Sequence, residues 1–342
     1  MNNNSADLEN KKYSELPKIS IVSVNWNGAQ ILNNFLDNIT KLNYPNKEII
    51  IIDNGSTDAS LEILKNRDDI IFYSIPKNLG FAGGNNYGIK KSSGDYILLI
   101  NTDVICEEDL LLNLINKIQN SSVEKIGAVY PIIKLQNGKI NTLGSFLYED
   151  YQPYNLGFGE DLEKYSILKN TKNIIGFYNA YMLLNKKILN EIGLINKEYF
   201  LYHEETDLAL RGYLNDWKYL LDEKSVVLHL HSYSSKPLSM KKIFYSERNR
   251  LFNLIKYAEP KKIFFSFYYT IKRLTLNVFK KKGLHLSEEK NVDFFCVKII
   301  KLAIATIFGW IAVIPHIDQL IHFRLLIRQN KQRKKIITYK TI

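Results

Sequence analysis

Three times in its first hundred positions the chain sets an uninterrupted apolar run directly before a cluster of short polar residues. Ser20 to Val24 runs into Asn25-Trp26-Asn27-Gly28, Ile49 to Ile52 into Asp53-Asn54-Gly55-Ser56-Thr57-Asp58, and Tyr96 to Ile100 into Asn101-Thr102-Asp103. Runs of this kind suit strands covered on both faces of a parallel sheet, and ligands of such sheets bind beyond the carboxyl ends of the strands. Asp53 stands at such an end. Helix-length stretches at Gln30 to Thr40, Ser60 to about Arg67, Asn85 to Ser92 and Glu107 to Gln119 complete a strand and helix alternation. That alternation predicts an α/β sheet.

Five polar segments carry a more specific signal. They are Asn25-Trp26-Asn27, Asp53 to Asp58, Asn78-Leu79-Gly80-Phe81-Ala82-Gly83-Gly84-Asn85-Asn86, Leu98-Leu99-Ile100-Asn101-Thr102-Asp103 and Tyr202-His203-Glu204-Glu205-Thr206-Asp207-Leu208. In order and spacing they resemble the inverting family-2 glycosyltransferases of GT-A fold, and within these the bacterial rhamnosyltransferase-like branch. The resemblance covers roughly residues 18–235 and weakens beyond. It implies a GT-A, Rossmann-like mixed sheet that binds a nucleotide sugar, with a helical C-terminal extension. The expected division is a polar tail over 1–18, a catalytic domain over 19–235 and a basic, aromatic-rich helical region over 236–342.

The resemblance also implies roles. Asp53 contacts the nucleoside, and Asn25, Trp26 and Asn54 line the same pocket; the alternative for Asp53 is a cap on its own turn. Asn78, Gly80, Gly84 and Asn85 belong to a glycine-rich loop against the donor, where backbone can approach a ligand closely. Its glycines do not fall in G-x-G-x-x-G register, which argues against a nicotinamide oxidoreductase; a simple glycine-rich turn is the bland alternative. Asn101, Thr102 and Asp103 stand at the D-x-D signature, with Asp103 expected to bind Mn²⁺ or Mg²⁺, or else to cap the helix starting near Glu107. Glu205 occupies the place of the general base, with Glu204 or Asp207 as substitutes and Asp207 also suited to opening a helix. His229, on a strand-like alternation from Val226 to Tyr233 that also holds His231, is the implied second metal ligand. Arg248, in Glu247-Arg248-Asn249-Arg250, is assigned to a diphosphate or lipid phosphate, or else to a surface charge on a helix. The processive Q-x-x-R-W motif is absent from the sequence, so one transfer per encounter is expected.

Charge sharpens the division. Residues 241–342 carry 22 Lys/Arg against 6 Asp/Glu, whereas residues 1–240 carry 24 against 29, within an overall +11. The basic residues alternate with apolar runs such as Ile263 to Tyr269, and no nucleic-acid motif accompanies them. An anionic membrane surface is therefore the expected partner, with a solvated basic face as the alternative. Leu302 to Ile317 is uncharged, holds Gly309 and Pro315, and falls short of the roughly 20 residues of a span, so it reads as buried or interfacial. The polar stretch Met1 to Lys18 lacks an apolar core, and Cys106 and Cys296 lack metal spacing; both point to a reduced, cytoplasmic location on the inner face of a bacterial cell membrane. The expected activity is metal-dependent, inverting hexosyl transfer, with a dTDP-rhamnose or UDP-sugar donor and a lipid-linked saccharide acceptor, in cell-surface polysaccharide assembly. The alternative is a non-catalytic nucleotide-sugar-binding scaffold on the same fold.

Overall fold

In the computed structural model the described residues are 16–164, 181–230, 239–279, 292–329 and 338–339. The isoleucine run forms a strand buried on both sides because its side chains alternate between two apolar layers. The chain enters as β1 (Ile19–Asn25), α1 (Ala29–Thr40), β2 (Lys47–Asp53), α2 (Ser60–Lys65), β3 (Ile71–Ser74), α3 (Gly80–Lys91) and β4 (Tyr96–Ile100). Ile49 and Ile51 pack with Phe35 and Leu36 of α1, while Ile50 and Ile52 pack with Ala82 and Ile89 of α3. These four strands are parallel, and β1, β2 and β4 end on the same edge in Asn25, Asp53 and Asn101.

From there the sheet becomes mixed. β5 (Val104–Cys106), α4 (Leu110–Gln119), β6 (Ile126–Leu135), β7 (Ile140–Thr142), β8 (Ser145–Tyr148) and β9 (Pro153–Asn155) come next. β10 (Tyr181–Asn185), α5 (Lys186–Ile192), α6 (Glu204–Leu214) and β11 (Lys218–His229) complete the layer. The strand order is β3-β2-β1-β4-β10-β6-β11-β5, with β7 paired to β6. β10 runs antiparallel between β4 and β6, and β11 lies parallel to β6 and antiparallel to β5. This is the expected mixed α/β sheet.

Two boundaries differ from expectation for a packing reason. α3 starts at Gly80, not Asn85, so the glycine-rich segment is helix instead of loop. A β-carbon at Gly84 would lie 2.7 Å from Val24, and one at Gly88 would lie 2.3 Å from Val22. The glycines let the helix close onto β1, and that contact outweighs their poor helix propensity. β11 likewise begins at Lys218, well before Val226; His231 lies outside the described residues.

The C-terminal region is helical: α7 (Met240–Tyr257), α8 (Pro260–Phe264), α9 (Ser266–Phe279), α10 (Val292–Ile311) and α11 (Ile317–Gln329). α7 is its spine. Gly309 brings α10 against the backbone of Phe244 and Arg248, and Val313 and Leu320 pack with Phe252 and Tyr199. On its other side α7 meets α6 through a buried ion cluster. Asp207 accepts from Lys256 Nζ at 2.9 Å, Arg211 Nε at 2.9 Å, the Tyr257 hydroxyl at 2.6 Å and the Tyr199 hydroxyl at 3.3 Å. Burial alone would push this carboxyl up; the Lys256 and Arg211 cations outweigh it and hold Asp207 well below the usual Asp range.

A depressed folded-state pKa stabilises the fold above the unfolded value and loses that contribution as pH falls through the folded one. Asp207→Asn leaves two buried cations without their anion and should cost about 3–5 kcal/mol near neutrality. Urea unfolding at stepped pH checks this: the gap between wild type and variant should be full above about pH 5 and shrink below about pH 4.

Candidate active site

The polar ends of β1 and β2 meet across the sheet. Asn25 Nδ2 donates to Asp53 Oδ1 at 3.4 Å and to Ser56 Oγ at 3.3 Å, and Ser74 Oγ donates to Asp53 Oδ2 at 3.3 Å. Asp53 is thus held by neighbouring strands, and these contacts are not those of a cap on its own turn. Trp26, next in sequence, is 42% exposed, with Lys241 Nζ 5.5 Å from its ring centroid.

Asn54 and Asn78 pin the start of α3. Asn54 donates to Asn78 Oδ1 and to the Gly80 carbonyl, both at 3.1 Å, and accepts from Leu79 N; Asn78 Oδ1 accepts from Gly80 N at 2.7 Å. Gly80 adopts φ +73, and a β-carbon there would lie 2.4 Å from the Phe200 carbonyl, which also accepts from Ala82 N at 3.4 Å. Much of this helix start is therefore satisfied from within the protein; Gly80 faces the Phe200 loop, Gly83 the side chain of Leu79 and Gly84 the sheet. Asn85 is buried; its amide donates to the Phe81 carbonyl while its Oδ1 finds no partner.

Asp103 lies between β4 and β5 and does not cap α4, whose N-cap is Asp109. Its Oδ2 is 3.2 Å from His229 Nε2, and its Oδ1 accepts from the Tyr181 hydroxyl at 3.5 Å. That same hydroxyl accepts from Asn101 Nδ2 at 3.2 Å, so Tyr181 joins the first and third positions of the Asn-Thr-Asp signature. Thr102 is half-buried between them. His229 Nδ1 lies 3.1 Å from Asn141 Oδ1. An amide oxygen accepts, so Nδ1 carries the hydrogen, and Nε2 is the nitrogen that faces Asp103.

The pair fits a divalent cation. Two ligands at right angles on an octahedral ion, each about 2.1 Å away, lie about 3 Å apart. One carboxylate and one imidazole also suit Mn²⁺ or Mg²⁺. Among the described residues no three His, Cys, Asp or Glu side chains converge. An ion here would complete its shell with phosphate oxygens and water, as Mg²⁺ does in nucleotide enzymes.

The acids at the start of α6 share one turn but not one environment. Glu204 and Glu205 are both buried, and among the described residues one carboxyl oxygen of each has no hydrogen-bond partner. Loss of water pushes Glu205 up to about 7 and raises Glu204 well above the ordinary range, the charge of Glu205 adding to the second shift. Asp207 is consumed by the ion cluster. Its role as a substitute base has no support in this geometry, because no oxygen of it faces open space.

The loop into these acids is strained. Phe200, Tyr202 and His203 adopt φ of 60, 70 and 65, a region that costs a residue with a β-carbon roughly 1–2 kcal/mol. Arg248, expected on a phosphate, donates from Nη2 to the carbonyls of Glu198 at 2.8 Å and Tyr199 at 2.9 Å. Its guanidinium lies over the rings of Tyr245 and Phe252. Tyr181, Asn141, Lys256 and Asn249 are site residues that sequence reading did not single out. Asn249 alone lay within a quoted segment; the others arrive through strand pairing or helix packing.

Comparison with known proteins fits this geometry. Residues 20–193 match the family described as Glycosyl transferase family 2, a match that stops short of Glu204 and Glu205. The poly-beta-1,6-N-acetyl-D-glucosamine synthase of Staphylococcus aureus (strain COL) is 27% identical over 235 residues, 66% of this chain and 50% of that protein. The chain thus spans about half the length of the curated relatives it matches. GalNAc-T7, solved with UDP, GalNAc and Mn²⁺, superposes with a TM-score of 0.59 at 16% identity, covering 76% of this chain and 51% of that one. The Pyrobaculum calidifontis mannosyltransferase PcManGT, solved with GDP-Man and Mn²⁺, gives 0.53 at 12% identity, covering 96% and 95%. These two likenesses speak for the fold. The family match takes in just over half of the residues, from β1 through α5, and on that ground this chain belongs to glycosyl transferase family 2.

Proposed function

We propose that the protein transfers a hexose, with inversion, from a nucleotide sugar to an acceptor hydroxyl. The observation that carries the reading is the contrast within one helical turn: Glu205 is buried with one oxygen that no described residue pairs, while Asp207 is locked by two cations. Glu205 takes the proton of the acceptor hydroxyl as its oxygen forms a bond to the anomeric carbon. The bond from that carbon to the diphosphate breaks, and the nucleoside diphosphate leaves with the electron pair. Asn25, Trp26 and Asp53 seat the nucleoside. Asp103 and His229 hold a divalent cation, Mn²⁺ or Mg²⁺, which when bound offsets charge on the diphosphate.

The rhamnosyltransferase-like motifs support dTDP-rhamnose as donor, with a UDP-sugar as the other option; the name of the Staphylococcus relative favours an N-acetylglucosamine donor within that option. The acceptor is a lipid-linked saccharide of cell-surface polysaccharide assembly, and the absent Q-x-x-R-W motif supports single transfers.

Membrane contact on the cytoplasmic face draws support from the outer side of the helical region. Ile304, Ile307, Phe308, Ile311 and Ile314 are exposed, as are Phe264, Phe267 and Tyr268, whereas Ala305 and Val313 on the inner side are buried against the protein. Ala303–Ile327 is long and apolar enough to cross a membrane, with 28% of its apolar window buried. The break at Ile314–His316, the packing on α7 and the charges of Asp318 and Arg324 support lying along the surface instead.

Glu205→Gln should lower transfer by about 10²- to 10⁴-fold while UDP or dTDP still binds in the presence of Mn²⁺. Full activity in that variant would sink the base assignment. Because only ionised Glu205 accepts a proton, kcat/KM should climb with pH through about 7 and then level off. A raised carboxyl pKa also costs stability as pH rises from about 4 toward 7, since the folded chain holds a proton the unfolded chain releases. A donor screen with UDP- and dTDP-sugars identifies the sugar, and binding with no turnover on any acceptor would instead favour the scaffold reading.

Full-length protein should co-sediment with anionic vesicles, more at low salt than at high. Replacing exposed Ile307, Phe308 and Ile311 together by Ser should weaken that binding at least about tenfold without unfolding the protein. Resistance to both salt and carbonate extraction would mean a span, and indifference to anionic vesicles at low salt would remove the membrane partner.

A further inference from the structure

One buried side chain reaches three carbonyls of the loop that delivers the acids. Asn249, fully buried on α7, sets Nδ2 within hydrogen-bonding distance of three carbonyls, Tyr199 at 2.9 Å, Leu201 at 2.8 Å and Tyr202 at 2.6 Å, so its two hydrogens serve three acceptors and one is shared. Its orientation is fixed from the other end, because Arg248 Nε donates to Asn249 Oδ1 at 2.9 Å. With the oxygen engaged by the guanidinium, the amide nitrogen must face the loop. Arg248 Nη2 adds bonds to the carbonyls of Glu198 and Tyr199.

These bonds fall on the segment whose backbone resists its own shape. Phe200, Tyr202 and His203 all have positive φ and none is glycine. Such a segment persists only where its surroundings fix it, and backbone held this way clusters at functional sites. His203 is the N-cap of α6, so the turn that Asn249 holds sets the direction in which Glu204 and Glu205 enter the site. The same loop lays the Phe200 carbonyl against Gly80 and Ala82 of α3.

We infer that Asn249, oriented by Arg248, is a positioning residue for Glu205: by gathering three carbonyls of a positive-φ loop it holds the base in line with the acceptor hydroxyl. The inference rests on Glu205 being the base. It assigns Arg248 to the loop and not to the donor phosphate, and it makes α7 part of the catalytic unit.

The test uses the full chain. Asn249→Ala should remain folded by circular dichroism, bind UDP or dTDP with Mn²⁺ within about threefold of wild type, keep the donor KM, and lose about 10- to 100-fold in kcat, as a misplaced catalytic group does. Asn249→Ser, which keeps one donor, should fall between wild type and Ala and serves as the second variant if Ala does not fold. Arg248→Lys keeps a cation but loses the planar fork, and should likewise lower kcat with the donor KM unchanged. A purely structural role would lower the thermal midpoint and the active fraction without changing kcat per active site, and that result overturns the inference. So does a rise in donor KM in Arg248→Lys, which would return the guanidinium to the phosphate. Glu205→Gln, assayed in parallel, separates the two readings: if it is inactive while Asn249→Ala has wild-type kcat, the base stands and the positioning role falls. If Glu205→Gln is fully active, the base assignment itself falls.

Discussion

A carboxylate removed from water and neutralised on two sides is the constraint on which the rest of this structure turns. Asp207 brings Lys256 of α7 and Arg211 of α6 to one point, with Tyr199 and Tyr257 completing its shell. A buried ion of this kind is a poor source of net stability compared with apolar packing, yet it tolerates no change of geometry, since displacement of any member strands a charge. It therefore specifies how α6 and α7 meet. The place of Glu204 and Glu205 then follows, because they sit on the turn of α6 that contains Asp207.

The three acids show how environment assigns roles to one kind of group. Cations at hydrogen-bonding distance keep Asp207 ionised, whereas burial without such partners draws Glu204 and Glu205 toward the neutral form. Pushing the pKa values of neighbouring carboxyls apart divides charge-holding from proton transfer at neutral pH. Asp103, after β4, is instead shared between an imidazole and a phenol.

The first half of the fold was legible because its strands are buried on both faces, and such burial leaves an uninterrupted apolar run that short-range reading can see. Ile49 to Ile52 and Leu98 to Ile100 need no tertiary information to be recognised. The glycine-rich segment misled for the opposite reason: Gly80 to Gly84 look like loop, and only the proximity of Val24 to Gly84 explains a helix there. Tyr181 and Asn141 left no local trace, since β10 reaches β4 by a long antiparallel return and β7 reaches β6 by its own hairpin. α7 was the least legible. Its Glu247, Asn249, Arg250, Asn253 and Lys256 carry no mark of burial in the sequence, yet all are buried, and no periodicity distinguishes a charge that meets a partner from one that meets water. For the same reason a division near residue 236 separates in sequence what α7 joins in space.

On the proposed reading, in which the exposed apolar side of α10 and α11 rests on a bilayer, concentration takes a different meaning for this molecule. For a protein lying on a bilayer, enzyme and lipid-borne acceptor meet in two dimensions, and encounter depends on how many acceptors occupy a given area, not a given volume. Diluting the bilayer with inert lipid would then slow turnover while the total amounts of enzyme and acceptor stay the same. A detergent micelle holding a single acceptor would behave as a closed compartment, exhausted after one transfer until micelles exchange.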